Sequence, residues 1–167
     1  PVNKMPLIEV IRGEKTGDKA AATIFALSKK MGKTPIIVKD GPGFLVNRLL
    51  MPYLNEACYT LGDGASVEKI DKALLKFGMP MGPLHLIDEI GIDVSIKVAK
   101  ILGHAFGMRA EAAPLMGRVG DAKKLGKKNQ SGFYLYDKEG KKLNVDPQIY
   151  TILGLSAPKD QFSEEEL

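Results

Sequence analysis

An asparagine, an arginine and a proline lie in the apolar helical pattern GPGFLVNRLLMPYLNEA at residues 41–57. Asn47 and Arg48 occupy positions where a helix that only fills a core would carry leucine or alanine. Pro52 has no N–H for the carbonyl of residue 48 and its ring crowds that carbonyl, so we expect the helix to bend or open beside Asn47. A freed carbonyl next to an amide would suit a substrate oxygen. The alternative is that Asn47 only bonds its own helix.

Glu9 interrupts an otherwise apolar strand pattern, LIEVIR, at residues 7–12. It shares a face with Leu7 and Ile11 because side chains alternate along a strand. An edge-strand carboxylate that points into water would satisfy this pattern. A carboxylate in a partly buried cleft would also satisfy it, but would need a cation or a hydrogen-bond donor beside it.

Other candidate motifs are weaker. Gly41–Gly43 and Gly62–Gly64 do not complete Gly-x-Gly-x-x-Gly after a strand, so they do not predict a dinucleotide site. The lysines of residues 123–128 have no interleaved aromatics, which favours a solvated loop over a nucleic-acid site. His85 and His104 are not spaced as metal ligands, so we expect no metal site.

The first forty residues predict a strand, a helix and a second strand. Runs of β-branched residues between turn residues indicate strands at 7–12 and 35–38. Between them, Thr16 or Asp18 can cap a helix. Its helical spacing is carried by Ala20, Ile24, Leu27 and Met31. This is a crossover unit of a parallel sheet, and because two strands are too few to stand alone, we expect the rest of the sheet upstream of this chain.

The remainder of the chain is mostly helical in pattern. Helices are expected at 43–61, 66–77, 84–90, 94–106 and 112–118. Ser66 and Asp93 are expected to cap their helices, and Pro83 fits the first position of its own.

A small hairpin at 133–136 and 142–145 and one short helix after Pro147 complete the pattern. We divide the chain into a strand-helix-strand part at 1–40, a helical domain at 41–145, and a linker at 146–167 toward a second helical domain.

Composition limits the class of protein. A hydrophobic content of 44% in 167 residues suits one domain, or one domain plus part of another. The net charge of +4 does not require nucleic acid, and would also suit a nucleotide or a coenzyme A ester. The single cysteine, Cys58, excludes an intrachain disulfide and fits a reducing compartment. We expect no membrane span and no signal peptide, and we expect both ends to be cuts in a longer protein.

Four motifs together resemble one enzyme family. They are MPLIEVIRG at 5–13, DGPGFLVNRLL at 40–50, GMPMGPLHLIDEIGID at 78–93 and GFYLY at 132–136. In order and spacing they resemble L-3-hydroxyacyl-CoA dehydrogenases, and the tail resembles the large multifunctional subunit of fatty-acid β-oxidation. The resemblance implies a mainly α fold: a helical dehydrogenase C-terminal domain, similar to that of 6-phosphogluconate dehydrogenase, preceded by a strand-helix-strand remnant of an NAD-binding Rossmann domain.

The resemblance also implies roles for Glu9 and Asn47. Enzymes of this family oxidise the 3-hydroxyl of an acyl-CoA thioester to a ketone and pass hydride to NAD. Their catalytic pair is a glutamate, matched by Glu9, and the histidine of a His-Phe-Phe-Asn-Pro motif whose last residue resembles Pro1. Asn47 matches the asparagine that contacts the substrate near its reacting oxygen. The histidine and the nucleotide fingerprint then lie upstream, so we expect NAD on the parent enzyme only and no activity from this chain alone.

Other functions stay open. Helical domains of the family pair, so the chain could be a non-catalytic assembly domain that forms a homodimer through helices 43–61 and 84–106. It could also be the helical domain of a related hydroxyacid dehydrogenase, although the motif at 78–93 argues against that.

The expected partners are an acyl-CoA, the missing Rossmann domain and a second helical domain. The expected location is cytoplasmic, or mitochondrial or peroxisomal in a eukaryote. For Arg48 we predict only a pairing with an acid such as Asp40 or Glu89.

Overall fold

The computed structural model describes residues 2–155, 158 and 162–163, so Pro1 lies outside the described residues. The strands are β1 (Leu7–Arg12), β2 (Thr34–Lys39), β3 (Tyr134–Tyr136) and β4 (Lys142–Val145). The helices are α1 (Asp18–Lys30), α2 (Val46–Gly62), α3 (Val67–Phe77), α4 (Pro83–Ile90), α5 (Ile92–Phe106), α6 (Leu115–Asp121) and α7 (Ile149–Leu153). Short 3-10 helices cover Val2–Lys4, Gly107–Ala110 and Lys127–Asn129. The chain is therefore mainly helical after a β-α-β start, as predicted.

The chain divides into two compact units, Pro1–Leu49 and Leu50–Leu167, and the division falls within the sequence of α2. In the first unit, β1 and β2 pair in parallel from Leu7 opposite Thr34 to Arg12 opposite Lys39. Helix α1 makes the crossover and buries Ala21 and Ser28. This confirms the predicted parallel strand-helix-strand unit.

The apolar stripe of α1 is largely exposed. Ile24, Leu27 and Met31 each keep at least 48% of their surface accessible. The face that packs is the neighbouring one, through Ala21 and Ser28. Helical spacing identifies residues that share a stripe, but two short strands cover only a narrow strip of the helix.

Two predicted helix caps are wrong and two features of helix starts are confirmed. Helix α1 has Gly17 at its N-cap with no side-chain cap, so neither Thr16 nor Asp18 caps it. Helix α5 has Gly91 at its N-cap, where the φ of 98° favours glycine, and Asp93 lies inside the first turn and does not cap the helix. Ser66 does cap α3, accepting a hydrogen bond from the Lys69 N–H at 3.2 Å. Pro83 is the first residue of α4, as predicted.

The second unit has one hydrophobic core. Residues of this core with 0% exposure are Leu61, Ala65, Val67, Leu84, Ile92, Val119, Phe133 and Ile149. Cys58 is buried there, and burial raises the pKa of its thiol to about 12, which keeps it protonated and unreactive. In the segment predicted as a linker, Ile149 and Leu153 of α7 belong to this core. The division at 1–40, 41–145 and 146–167 stays a prediction.

The hairpin β3–β4 is antiparallel, with Tyr134 opposite Val145 and Tyr136 opposite Lys142. Tyr134 and Tyr136 are both buried, because alternate residues of β3 point to the same face. Among the residues described here, no helix combines the length and the apolar character that crossing a bilayer requires.

Candidate functional site

Glu9 binds the start of helix α2. Its Oε1 accepts hydrogen bonds from the backbone N–H of Leu45 at 2.8 Å and of Val46 at 3.2 Å. Val46 is the first residue of α2, so a carboxylate from the strand satisfies N–H groups that lack partners within the helix. A negative charge at this end also interacts favourably with the helix dipole. Within the described part of the chain, Oε2 of Glu9 accepts no hydrogen bond.

A tight turn directly precedes Leu45 and Val46, whose N–H groups bond Glu9. The Phe44 N–H bonds the Gly41 carbonyl at 3.1 Å, which closes a turn between β2 and α2. Gly43 and Phe44 both have positive φ, 74° and 42°. The Arg48 Nε donates to the Pro42 carbonyl at 2.9 Å, so a side chain from α2 reaches back across the turn.

Asn47 is the second residue of α2 and follows directly after Val46. It is half-buried, like Glu9, and its side-chain amide makes no hydrogen bond to another described residue. Both residues belong to the unit Pro1–Leu49. The structure therefore brings the two sequence-predicted site residues to one helix start, with one oxygen of Glu9 and the amide of Asn47 available to a bound group. Their catalytic roles stay predictions.

Pro52 does not end α2, which continues from Val46 to Gly62. Pro52 is exposed, and it cannot donate to the carbonyl of Arg48. Asn47 is accessible because it lies in the first turn of the helix, where the chain has just left the tight turn. The position of Asn47 therefore needs no helix opening at Pro52.

The connection from β1 to α1 does not fit a dinucleotide. Arg12 spans it, bonding the Thr16 carbonyl at 3.1 Å and the Asp18 carboxylate at 2.6 Å. Asp18 stands in the first turn of α1, where a pyrophosphate would need unopposed N–H groups and no negative charge. We therefore assign no nucleotide contact to these residues. The described residues also contain no group of three His, Cys, Asp or Glu that could hold a metal ion.

Sequence reasoning missed Asp71 and Asp88, which are buried in the second unit. Asp71 of α3 accepts from the N–H groups of Leu84 (2.9 Å) and His85 (3.1 Å) at the start of α4. It also accepts from the Tyr134 hydroxyl at 2.8 Å. Asp71 is 3% exposed, so all three donors depend on this one carboxylate. A signal was present, because Asp71 follows Val67 by four residues and so lies on the apolar face of its helix.

Asp88 of α4 holds the hairpin in the same way. Its carboxylate accepts from the N–H groups of Phe133 and Tyr134, each at 2.9 Å, and from the Tyr136 hydroxyl at 3.0 Å. Residue 132 has to be glycine, because a Cβ there would lie 2.0 Å from Oδ1 of Asp88. The buried contacts of Asp88 thus join two of the four motifs, 78–93 and 132–136.

Burial shifts the pKa of these groups upward. Burial raises the pKa of the Asp88 carboxyl to about 6, and outweighs the three hydrogen bonds that favour its charged form. Burial also raises the pKa of Asp71, against the bonds from Tyr134 and α4. The pKa of the Tyr134 hydroxyl is raised by burial and by Asp71, which keeps it a donor.

The lysine loop is less solvated than predicted. Lys124 Nζ bonds Asp146 at 2.5 Å, Ser131 at 2.9 Å and Gln148 at 3.0 Å, and only 13% of its side chain is exposed. Burial alone would raise the pKa of Asp146, but the hydrogen bond from Lys124 leads the contacts that lower it. Lys127 pairs with Glu89 at 2.7 Å. These lysines connect elements of the second unit, because each faces a carboxylate that the sequence pattern did not reveal.

The architecture is a β-α-β unit followed by a mainly helical part. Residues 1–41 match the family model described as "3-hydroxyacyl-CoA dehydrogenase, NAD binding domain", and residues 43–136 match "3-hydroxyacyl-CoA dehydrogenase, C-terminal domain". The chain belongs to the 3-hydroxyacyl-CoA dehydrogenase family, which confirms the resemblance drawn from the four motifs.

The relatives agree with this assignment. The chain is 50% identical over 165 residues to the fatty acid oxidation complex subunit alpha of Idiomarina loihiensis, covering 99% of this chain and 23% of that protein. It is 48% identical over 165 residues to the subunit of the same name from Shewanella halifaxensis, with 99% and 23% covered. A solved structure, (S)-3-hydroxybutyryl-CoA dehydrogenase from Ralstonia eutropha, superposes with a TM-score of 0.78 at 45% identity, covering 82% of this chain and 50% of that one. The chain thus spans about a quarter of the length of these curated relatives.

Proposed function

We propose that this chain forms the substrate-side part of an NAD-dependent L-3-hydroxyacyl-CoA dehydrogenase of fatty-acid β-oxidation. The reaction oxidises the 3-hydroxyl of an acyl-CoA thioester to a ketone. The observation that carries the proposal is the bond from Glu9 to the helix start that bears Asn47. A carboxylate and an amide held at one helix start can serve the same reacting hydroxyl, the carboxylate by orienting the base and the amide by direct contact.

Glu9 has the role of orienting the catalytic base. Oxidation of a secondary alcohol requires a base that takes the hydroxyl proton near neutral pH, and imidazole is suited to this. A neighbouring carboxylate fixes the ring and favours its protonated form. Oε1 of Glu9 is held by two backbone N–H groups, which leaves Oε2 for the imidazole. The histidine and the nucleotide contacts are supplied, in this proposal, by segments outside this chain.

Asn47 has the role of holding the substrate oxygen. Its amide N–H can donate to that oxygen both as hydroxyl and as ketone, so its main contribution is geometric, with some polarisation of the forming carbonyl. The helix start supports this role because Glu9 holds the backbone N–H groups of Leu45 and Val46, directly before Asn47, while Asn47 itself is only half-buried.

The full-length protein is, in this proposal, a subunit of a fatty-acid oxidation complex. The supporting observation is the name shared by the Idiomarina and Shewanella relatives, which match almost the whole chain. We infer a cytoplasmic location from these bacterial relatives and from the single buried thiol of Cys58, which suits a reducing compartment.

The test is NADH formation from NAD and a 3-hydroxyacyl-CoA. The full-length gene product should turn over, and Asn47→Ala should lower kcat by roughly 100-fold, the size of effect expected when a reacting group loses its positioning contact. Asn144→Ala, which changes an exposed asparagine of β4, is the matched control and should leave kcat unchanged. The 167-residue chain alone should give no NADH. Turnover by that chain, or an unimpaired Asn47→Ala enzyme, would refute the proposal.

A second candidate function is assembly through the helical part. It is favoured by exposed apolar side chains at α5 and just after it: Val94, Ile101, Phe106 and Met108. Exposed apolar side chains mark a protein interface where they form one contiguous patch. We expect the chain to form a homodimer, and a monomeric mass by light scattering at tens of micromolar would count against this. The remaining alternative, a related hydroxyacid dehydrogenase, is disfavoured by the family match over residues 43–136.

A further inference from the structure

The turn that precedes α2 holds an unfavourable backbone conformation. Gly43 and Phe44 have φ values of 74° and 42°, in the left-handed region. Glycine adopts this region readily, but a residue with a side chain such as phenylalanine rarely does. Such a conformation persists only where neighbouring contacts over-determine it, and it often occurs at functional sites.

Two side chains hold this turn from its two ends. Glu9 accepts the N–H groups of Leu45 and Val46, which follow the turn. Arg48 donates from Nε to the carbonyl of Pro42, inside the turn, at 2.9 Å. Glu9 therefore fixes the peptide N–H groups that follow Phe44, and Arg48 fixes a carbonyl that precedes it.

Gly41 leaves the space for the Arg48 side chain. A Cβ on residue 41 would lie 2.5 Å from Nη2 of Arg48, so the guanidinium lies directly against the backbone of Gly41. A lysine could carry the same charge, but it has no planar group to lie on the glycine and no Nε–H directed at the Pro42 carbonyl. The contact therefore calls for arginine specifically.

We propose that Arg48 is a positioning residue for the reaction, because it keeps the turn Gly41–Phe44 in the conformation that presents α2 to Glu9 and fixes Asn47. The evidence that Arg48 holds the turn is its hydrogen bond to the Pro42 carbonyl. Its effect on catalysis rests on the proposed function of Glu9 and Asn47. Arg48 itself touches no substrate in this account and acts only through the turn.

Amide hydrogen exchange tests the effect on the turn in the full-length gene product. Arg48→Lys keeps the charge, so any ion pair made by that charge is retained, but it loses the Nε–H bond. We expect the N–H groups of Leu45 and Val46 to exchange roughly tenfold faster, the change that the loss of one charge-assisted hydrogen bond produces. Arg109→Lys, in the exposed 3-10 helix Gly107–Ala110, is the matched control and should leave these two rates unchanged. Rates within twofold of wild type in Arg48→Lys would overturn the proposal.

A second variant displaces the Arg48 side chain without substituting Arg48 itself. Gly41→Ala places a Cβ where the guanidinium lies. The φ of residue 41 is not positive, so alanine fits the backbone. We expect faster exchange at Leu45 and Val46 in this variant too. Unchanged exchange there would contradict the placement of Arg48 against Gly41.

Kinetics test the effect on the reaction. Arg48→Lys should lower kcat roughly tenfold and leave KM for the acyl-CoA within about twofold, because the loss concerns positioning at the reacting oxygen and not uniform binding. Faster exchange with an unchanged kcat would overturn the positioning role. If the wild-type protein fails to oxidise 3-hydroxyacyl-CoA at all, the proposed function falls, while the exchange rates still decide whether Arg48 holds the turn.

Discussion

Glu9 and Asp71 both bind the start of a helix, and they do so in different surroundings. Glu9 is half-buried and uses one oxygen for the two N–H groups at the start of α2. Asp71 is 3% exposed and uses both oxygens for two N–H groups of α4, with the Tyr134 hydroxyl as a third donor. Both carboxylates therefore accept hydrogen bonds from a helix start, but Glu9 keeps one oxygen without a hydrogen bond and Asp71 uses both.

The difference separates a structural carboxylate from one that can also do chemistry. Around Asp71, the Leu84 N–H and the Tyr134 hydroxyl are buried and the His85 N–H is partly buried, so its removal leaves at least two polar groups that water cannot reach. Around Glu9, water can replace a lost bond, and the second oxygen remains open to another group. Stability should depend most on Asp71, and activity most on Glu9.

The largest expected effect is on stability at Asp71. Asp71→Ala should lower the free energy of unfolding by about 4 kcal/mol, because two N–H groups and one hydroxyl lose their acceptor in a buried site. Urea denaturation measures this loss. Glu68→Ala, an exposed change in the same helix, is the control and should cost less than about 1 kcal/mol. A cost at Asp71 no greater than that of Glu9→Ala would remove the contrast.

The next effect is on activity at Glu9. Glu9→Gln keeps an oxygen for Leu45 and Val46 but removes the charge, so kcat for 3-hydroxyacyl-CoA oxidation should fall roughly 100- to 1,000-fold. The free energy of unfolding should change by less than about 1 kcal/mol. Glu14→Gln, an exposed residue after β1, is the control in the same assay. Loss of stability without loss of kcat would make Glu9 a purely structural residue.

A third effect concerns pH and Asp88. Its folded pKa of about 6 lies above the usual value of 3.8, so the folded state holds the proton more strongly. The raised pKa adds roughly 3 kcal/mol to the free energy of unfolding below about pH 4. This contribution is lost as the pH rises through about 6 and the carboxyl ionises. Asp88→Asn lacks this titration, so its deficit relative to wild type should be largest at pH 4 and smaller at pH 7 in urea denaturation. A deficit that does not change with pH would contradict the raised pKa.

The smallest effect is that of single hydroxyls in the saturated network. Tyr134→Phe removes one donor to Asp71 and Tyr136→Phe removes one donor to Asp88, and each should cost about 1.5 kcal/mol, since each carboxylate keeps two N–H bonds. Tyr59→Phe, at an exposed position of α2, is the matched control for thermal unfolding. Equal melting temperatures for all three variants would show that the hydroxyls contribute little beyond the backbone bonds.

Much of the fold could be predicted because periodicity is a local property. The strand Leu7–Arg12 was predicted with its observed bounds, and α3 to within a residue. Two caps failed for a local reason as well. Gly17 and Gly91 occupy the N-cap positions of their helices, and a capping side chain one or two residues away cannot take their place.

Contacts between distant residues were harder to predict. The sequence does not single out Asp71 or Asp88 as hydrogen-bond acceptors, since their donors lie 13 to 63 residues away in the sequence. The position of each aspartate on an apolar face was the available signal. For the candidate site, residue types and family resemblance selected Glu9 and Asn47, but the bond between Glu9 and the start of α2 required coordinates.

The glycine at position 132 has a consequence for variation in this protein. Any side chain there would overlap the carboxylate of Asp88, and a Cβ on Gly82 would come within 2.3 Å of Asp71 in the same manner. In a saturation library sorted for folded molecules, we expect both positions to return almost only glycine codons. A homologue with a larger residue at either position would also have to change the aspartate that faces it, so each glycine should vary only together with its own aspartate, Asp88 for Gly132 and Asp71 for Gly82.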